Sequence, residues 1–118
     1  MTPTVVTMAI TDIVAGVLLI LLCLPLLKRW IPMNGLYGFR FRQSFTSEEN
    51  WYRINEYGAQ RMILWSLGIV FFGLMLFMPA FYKNPGILVL CSLAPLLVIV
   101  PAIESYRFAR LLGKLDGE

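Results

Sequence analysis

Residues 62–103 read MILWSLGIVFFGLMLFMPAFYKNPGILVLCSLAPLLVIVPAI. Two long stretches of hydrocarbon flank a short break at Lys83-Asn84-Pro85. Neither Met62–Tyr82 nor Gly86–Ile103 carries a charged side chain. A helix needs about 20 residues to cross a hydrocarbon core of about 30 Å, with about 17 as a lower limit. Both stretches reach that length. Asn-Pro-Gly is a turn composition, so the segment reads as a hairpin of two membrane helices.

The rest of the chain fits the same reading. Ile13–Leu27 is uncharged, and Asp12 is the one charge before it. A third membrane helix is expected over about residues 4–27, beside those over 62–82 and 86–103. The chain has 118 residues, 58% hydrophobic and 14% charged, with a mean hydropathy of +0.73. An average soluble domain is about a quarter charged. Three core helices that are apolar all round would leave too little polar chain to wrap them. A cleaved signal peptide carries positive charge ahead of its apolar stretch. Here Lys28 and Arg29 follow it, so the first run is expected to be retained.

Basic residues set the orientation. Lys28, Arg29, Arg40, Arg42, Arg53 and Arg61 lie in the first connection, Lys83 alone lies in the second, and Arg107, Arg110 and Lys114 lie in the tail. Loops rich in Lys and Arg stay on the cytoplasmic side. The expected topology is N-terminus out and C-terminus in, a single transmembrane domain over 1–118 with a cytoplasmic loop at 28–61 and a basic tail at 104–118. The net charge of +3 then belongs to an inner rim facing anionic headgroups, not to a nucleic-acid surface. Arg107, Arg110 and Lys114 share one helical face, and Leu111 and Leu115 share another, which reads as an amphipathic extension on the membrane. Cys23 and Cys91 sit near opposite ends of their helices and read as small packing residues rather than a disulfide.

Local signals place the helix ends. Thr7, Thr11 and Ala15 are spaced by four, a small-residue face suited to close helix approach, which Gly16 widens. Trp30 has the place of an interfacial aromatic, and Pro32 stops further helix. In TSEENW, residues 46–51, Thr46 with Glu49 makes a capping box, and Ser47 is the alternative cap. A polar helix over about 47–60 is expected at the interface, either turning at Gly58 or running straight into the membrane at Arg61. Trp51, Asn55, Gly58 and Met62 share one of its faces. Pro95 and Pro101 predict a kinked third helix.

Histidine is absent, as are a CxxC pair and a Gly-rich phosphate loop. No enzyme, metal or cofactor is expected. Asp12 lies in a membrane run and is either a carboxyl near the outer headgroups or a polar site for a proton, a cation or a neighbouring helix. Glu104 is placed to pair with Arg40 or Arg61, and Arg61 otherwise reads as a snorkelling anchor. Arg40 and Arg42 are candidates for lipid phosphate or for Glu48, Glu49 and Glu56. Asn34, Gly35 and Gly38 are turn residues, with Gly38 suited to positive φ.

The stretch from Met33 to Gln60 resembles the signature of the SdpI family of bacterial membrane proteins. Its pattern is an Asn, a Gly-x-Arg, a Ser or Thr, an acidic residue or Asn before a Trp, then His or Asn, then Gly. Here these are Asn34, Gly38, Arg40, Ser47, Glu49 with Asn50, Trp51, Asn55 and Gly58. One helix before the motif and two after match the family's layout, while Phe41 stands where the family commonly has Thr. The resemblance implies a bacterial inner-membrane protein of immunity or signalling, with a peptide toxin or a regulatory protein as partner. Arg40 would give a bidentate charge contact, Trp51 an interfacial anchor and Asn55 a hydrogen bond. Two other readings are an accessory subunit of a larger complex or a homo-oligomer, with the Thr7/Thr11/Ala15 face as a contact, and a small transporter coupled through Asp12.

Overall fold

The structure, a computed structural model, describes residues 1–117. It is all-helical, with no strand among the described residues. The helices are α1 (Pro3–Leu27), α2 (Glu48–Met75), α3 (Pro79–Tyr82), α4 (Pro85–Ser92) and α5 (Ile99–Leu115), with 3-10 turns at Arg42–Phe45 and Ala94–Val98. By length and composition α1 and α2 can each cross a membrane, and α4 with the segment Ala94–Leu115, bent by 42°, is a candidate third span if the two are taken together.

Helix α1 starts where Thr2 accepts a hydrogen bond from the Val5 amide and Pro3 takes the first turn. It ends with Arg29 at φ 60°, a left-handed turn that swings its guanidinium onto Glu56 at 2.6 Å. Helix α2 starts at Ser47, whose hydroxyl accepts from the Asn50 amide at 3.0 Å. The cap is therefore Ser47, and the Thr46 hydroxyl turns back to the Gln43 carbonyl instead. Glu48 and Glu49 sit in the first turn, where the helix dipole favours them.

The expected short interfacial helix is not a separate element. Helix α2 runs without a break through Gly58 and Arg61 to Met75. Gly58 does not bend it, because the missing side chain makes room for the ring of Phe39: a Cβ there would lie 2.7 Å from it. Residues Glu48–Arg61 thus form a rigid polar stem of about 20 Å. The molecule is 54 Å long, well beyond a hydrocarbon core of about 30 Å.

The second span ends earlier than its uncharged run. The chain tightens after Met75, with amides of Leu76, Phe77 and Met78 bonding three residues back, and Pro79 opens the separate turn α3. Asn84 then caps α4 by accepting from the amides of Gly86 and Ile87. The bend falls at Leu93, between α4 and the 3-10 turn, and Pro95 opens that turn just after it. Pro101 lies in the first turn of α5, where a missing amide costs no helical bond.

The close helix approach uses a different face from the one expected. Val5, Ala9, Asp12 and Gly16 of α1 are buried, while Thr7 and Thr11 are exposed and bond to carbonyls of their own helix. On α2 the matching buried residues are Ser66, Ile69 and Gly73. A Cβ on Gly16 would meet Val70 at 2.5 Å and the Ser66 carbonyl at 2.9 Å; one on Gly73 would meet Ile13 at 2.8 Å and the Ala9 carbonyl at 2.9 Å. Gly73→Leu is therefore expected to force α1 and α2 apart and cost about 1–3 kcal/mol. A drop in thermal unfolding temperature in mild detergent measures it, and Gly68→Leu is the control, since only Leu97 lies near that position.

Residues up to Leu115 continue α5 and pack on the stem of α2. Ala109 and Leu112 bury against Ile54, and Phe108 stacks on Tyr57 at 4.2 Å. The buried stripe is Ser105, Ala109, Leu112 and Gly113; Leu111 and Leu115 point outward.

Candidate functional site: the motif loop and its seat on α2

The connection between α1 and α2 is built around Asn34. Its side-chain oxygen accepts from the amides of Leu36 and Tyr37 at 2.9 and 2.7 Å. Its amide nitrogen donates to the carbonyls of Pro32 and Tyr37 at 2.9 and 3.0 Å. One side chain thus closes the turn from both sides, as Asx turns do. The turn leaves Leu36 91% exposed. The Tyr37 hydroxyl reaches the Leu22 carbonyl at the end of α1. Burial raises the Tyr37 phenol above its ordinary pKa, with Cys23 adding to the shift.

Past Tyr37 the chain folds onto α2. Gly38 has φ 126°, in the region that side chains rarely adopt. A Cβ there would lie 2.6 Å from the Asn55 side-chain oxygen and 3.1 Å from the Trp51 ring. The Asn55 oxygen accepts from the Phe39 amide at 2.6 Å, and its nitrogen donates to the Trp51 carbonyl at 2.9 Å. Trp51 is fully buried, and its indole N–H donates to the Ile31 carbonyl at 2.9 Å. Phe39 lies over Gly58. Ser44, also fully buried, donates to the Phe39 carbonyl at 2.7 Å and accepts from the Phe41 amide at 3.2 Å.

The structure therefore brings Asn34, Gly38, Trp51, Asn55 and Gly58 into one loop-on-helix junction. Trp51 is an internal anchor of that junction, not an interfacial one, because Ile31, Gly38 and Phe45 enclose it. Arg40 stands exposed at its edge and donates to the Gly35 carbonyl, not to Glu48, Glu49 or Glu56.

Ser47 and Glu49 lie elsewhere, at the far tip of the stem. They line a groove of about 740 Å³ with Asn50 and Asp116. Asn50 donates to Thr46 and to the Asp116 carboxylate at 2.9 and 2.6 Å, tying the end of α5 to the start of α2. Glu49 reaches only Arg53, at 3.9 Å.

Two more polar features lie along the spans. Arg61 is not a free anchor: it pairs with Glu104 at 2.6 Å, and the Trp65 indole donates to the same carboxylate at 2.8 Å. Asp12 is 2% exposed and packed against α2 beside Gly73; among the described residues one of its oxygens has no hydrogen-bond partner. Cys23 and Cys91 are free and buried. Among the described residues no group of His, Cys, Asp and Glu is placed to hold a metal.

The profile of the SdpI/YfhL protein family matches residues 30–105, well over half of the chain. The chain belongs to the SdpI/YfhL family. No curated protein and no solved structure matches it. The matched segment takes in the loop from Trp30, α2, and α4 with α5 as far as Ser105. Within it, Phe39, which its position between the helices marks as an interfacial aromatic, completes the junction with Ser44 and Ile31, which the sequence did not single out. A Gly facing an aromatic on one helical face was the available signal for Phe39. Nothing in the sequence pairs Asn50 with Asp116, which are 66 positions apart.

Proposed function

We propose that this SdpI/YfhL-family protein is a small binding protein of the bacterial inner membrane, acting in immunity or signalling through its first loop. It is placed with the N-terminus outside and the loop and C-terminus in the cytoplasm, since Lys and Arg concentrate on that side. The observation that carries the reading is the loop edge. A turn locked by Asn34 holds Leu36 out at 91% exposure, with Arg40 tethered to Gly35 beside it. Arg is enriched among the residues that dominate binding energy, and an arginine and an apolar side chain held on a fixed turn lose little ordering entropy on binding. A peptide toxin or a regulatory protein with an apolar pocket and a carboxylate is the fitting partner.

The test separates recognition from folding. In cells that depend on this chain for protection or signalling, Arg40→Ala and Leu36→Ser are each expected to lose the response. Their membrane levels and unfolding temperatures are expected to match the unaltered chain, since both side chains are exposed. A full response in both variants would overturn the reading. A toxin or small repressor gene next to the coding gene supports it, and genes for a large membrane complex favour an accessory subunit.

A further inference from the structure

We propose that the outward side of α5 seats the headgroup of an anionic phospholipid, held by Arg107, Arg110 and Lys114. This goes beyond the loop reading and does not depend on it. Arg107, Arg110, Leu111 and Lys114 line a groove of about 290 Å³. A second groove of about 230 Å³ shares Arg110 and Lys114 and is closed by Arg42 and Gln43. No carboxylate lines either one among the described residues. Among those residues, too, none of the three α5 cations has an acidic partner, unlike Arg29, Arg53 and Arg61.

Position favours a lipid over a soluble anion. Ile99, Ile103, Tyr106 and Arg110 recur at helical spacing on one outward stripe, the first three being 52%, 51% and 47% exposed. The stripe passes from bare hydrocarbon through an aromatic ring to a guanidinium, the order in which acyl chain, interface and phosphate lie in a leaflet. Side chains on a helix lean toward its N-terminus, which for α5 means back toward the apolar run. Arg110 shows this lean: its guanidinium carbon lies 5.9 Å from the centre of the Tyr106 ring. Arg107 and Arg110 start about 4.5 and 9 Å beyond Glu104 along the axis. Leaning back puts both guanidinium groups in a headgroup layer about 5–8 Å thick. Arg meets a phosphate oxygen pair with two parallel N–H bonds.

The experiment is native mass spectrometry of the full chain in mild nonionic detergent, titrated with phosphatidylglycerol or with phosphatidylcholine of the same acyl chains. Phosphatidylglycerol is expected to be retained in preference. The combined variant Arg107→Gln, Arg110→Gln and Lys114→Gln is expected to weaken that retention by about tenfold or more, with its unfolding temperature unchanged. Arg107→Lys with Arg110→Lys keeps most of the binding, and Lys83→Gln at the opposite end keeps all of it. Equal retention of the two lipids, or an unchanged triple variant, overturns the proposal. So does full displacement by inorganic phosphate at the same concentration, which makes the ligand a soluble phosphate. Retention of poly-glutamate without phosphatidylglycerol also overturns it and makes the face a protein dock.

Discussion

Trp51→Ala is expected to destabilise the protein by about 3–5 kcal/mol, the range for deleting a buried large aromatic. The ring is fully buried at the point where the first loop crosses α2. Its loss removes the surface on which Gly38 rests at van der Waals distance and the ring that Phe45 packs against, 5.6 Å between centroids. It also strips the Ile31 carbonyl of its indole donor. In mild detergent the unfolding temperature should fall by about 10 °C or more. Proteolysis should then cut between Lys28 and Thr46, where the loop is no longer pinned. Trp51→Phe restores most of the volume but not the donor, and should recover more than half of the loss. Equal effects of Ala and Phe would show that the Ile31 hydrogen bond, not the packing, dominates. An unchanged melt for Trp51→Ala would refute the junction. The variant is a poor probe of recognition for the same reason: a lost response would report a loosened loop, whereas Arg40→Ala leaves the junction intact.

The spans were legible because hydrocarbon length and charge placement carry them directly. Uncharged runs, the turn at Asn84-Pro85-Gly86 and the α2 start at Thr46 or Ser47 all rest on single residues or short windows, whereas the Thr2 cap of α1 was not read. The motif was legible as residues but not as a junction. Helical spacing lined up Trp51, Asn55 and Gly58, yet nothing local says that Phe39 fills the gap at Gly58. That gap also decides between the two courses open to α2, a turn at Gly58 or a straight run through Arg61: the glycine makes room for a ring rather than a bend. Of the expected small-residue face of α1, Gly16 lies in the contact with α2, while Thr7 and Thr11 do not. Both stripes have small residues at helical spacing, and only the position of Gly73 on the facing helix decides between them. For Asp12 the sequence left a headgroup position and a site against a neighbouring helix open, and the tight approach at Gly73 buries it against α2.

Asn55→Leu separates the polar half of the junction from its packing. The side chains have similar volume, but leucine cannot accept from the Phe39 amide or donate to the Trp51 carbonyl. A buried donor left without a partner costs about 1–3 kcal/mol. The branched methyl groups also replace an oxygen that already lies 2.6 Å from where a Cβ on Gly38 would be. Overpacking there adds about 1–3 kcal/mol. The total expected loss is about 3 kcal/mol, read as a lower unfolding temperature together with faster amide exchange at Phe39. Asn55→Asp keeps the acceptor for that amide but buries a carboxyl against the Trp51 carbonyl, so Phe39 protection should persist while stability falls at least as far. Both readouts are needed: a melt alone cannot tell a strained core from an opened loop, whereas exchange at Phe39 reports the one bond that fastens the motif to α2. If Asn55→Leu left the Phe39 amide protected, the loop would be held by Trp51 and Asn34 alone. The rigidity attributed to the Leu36–Arg40 edge would then come from the Asn34 turn, and Asn34→Ala would become the variant that releases it.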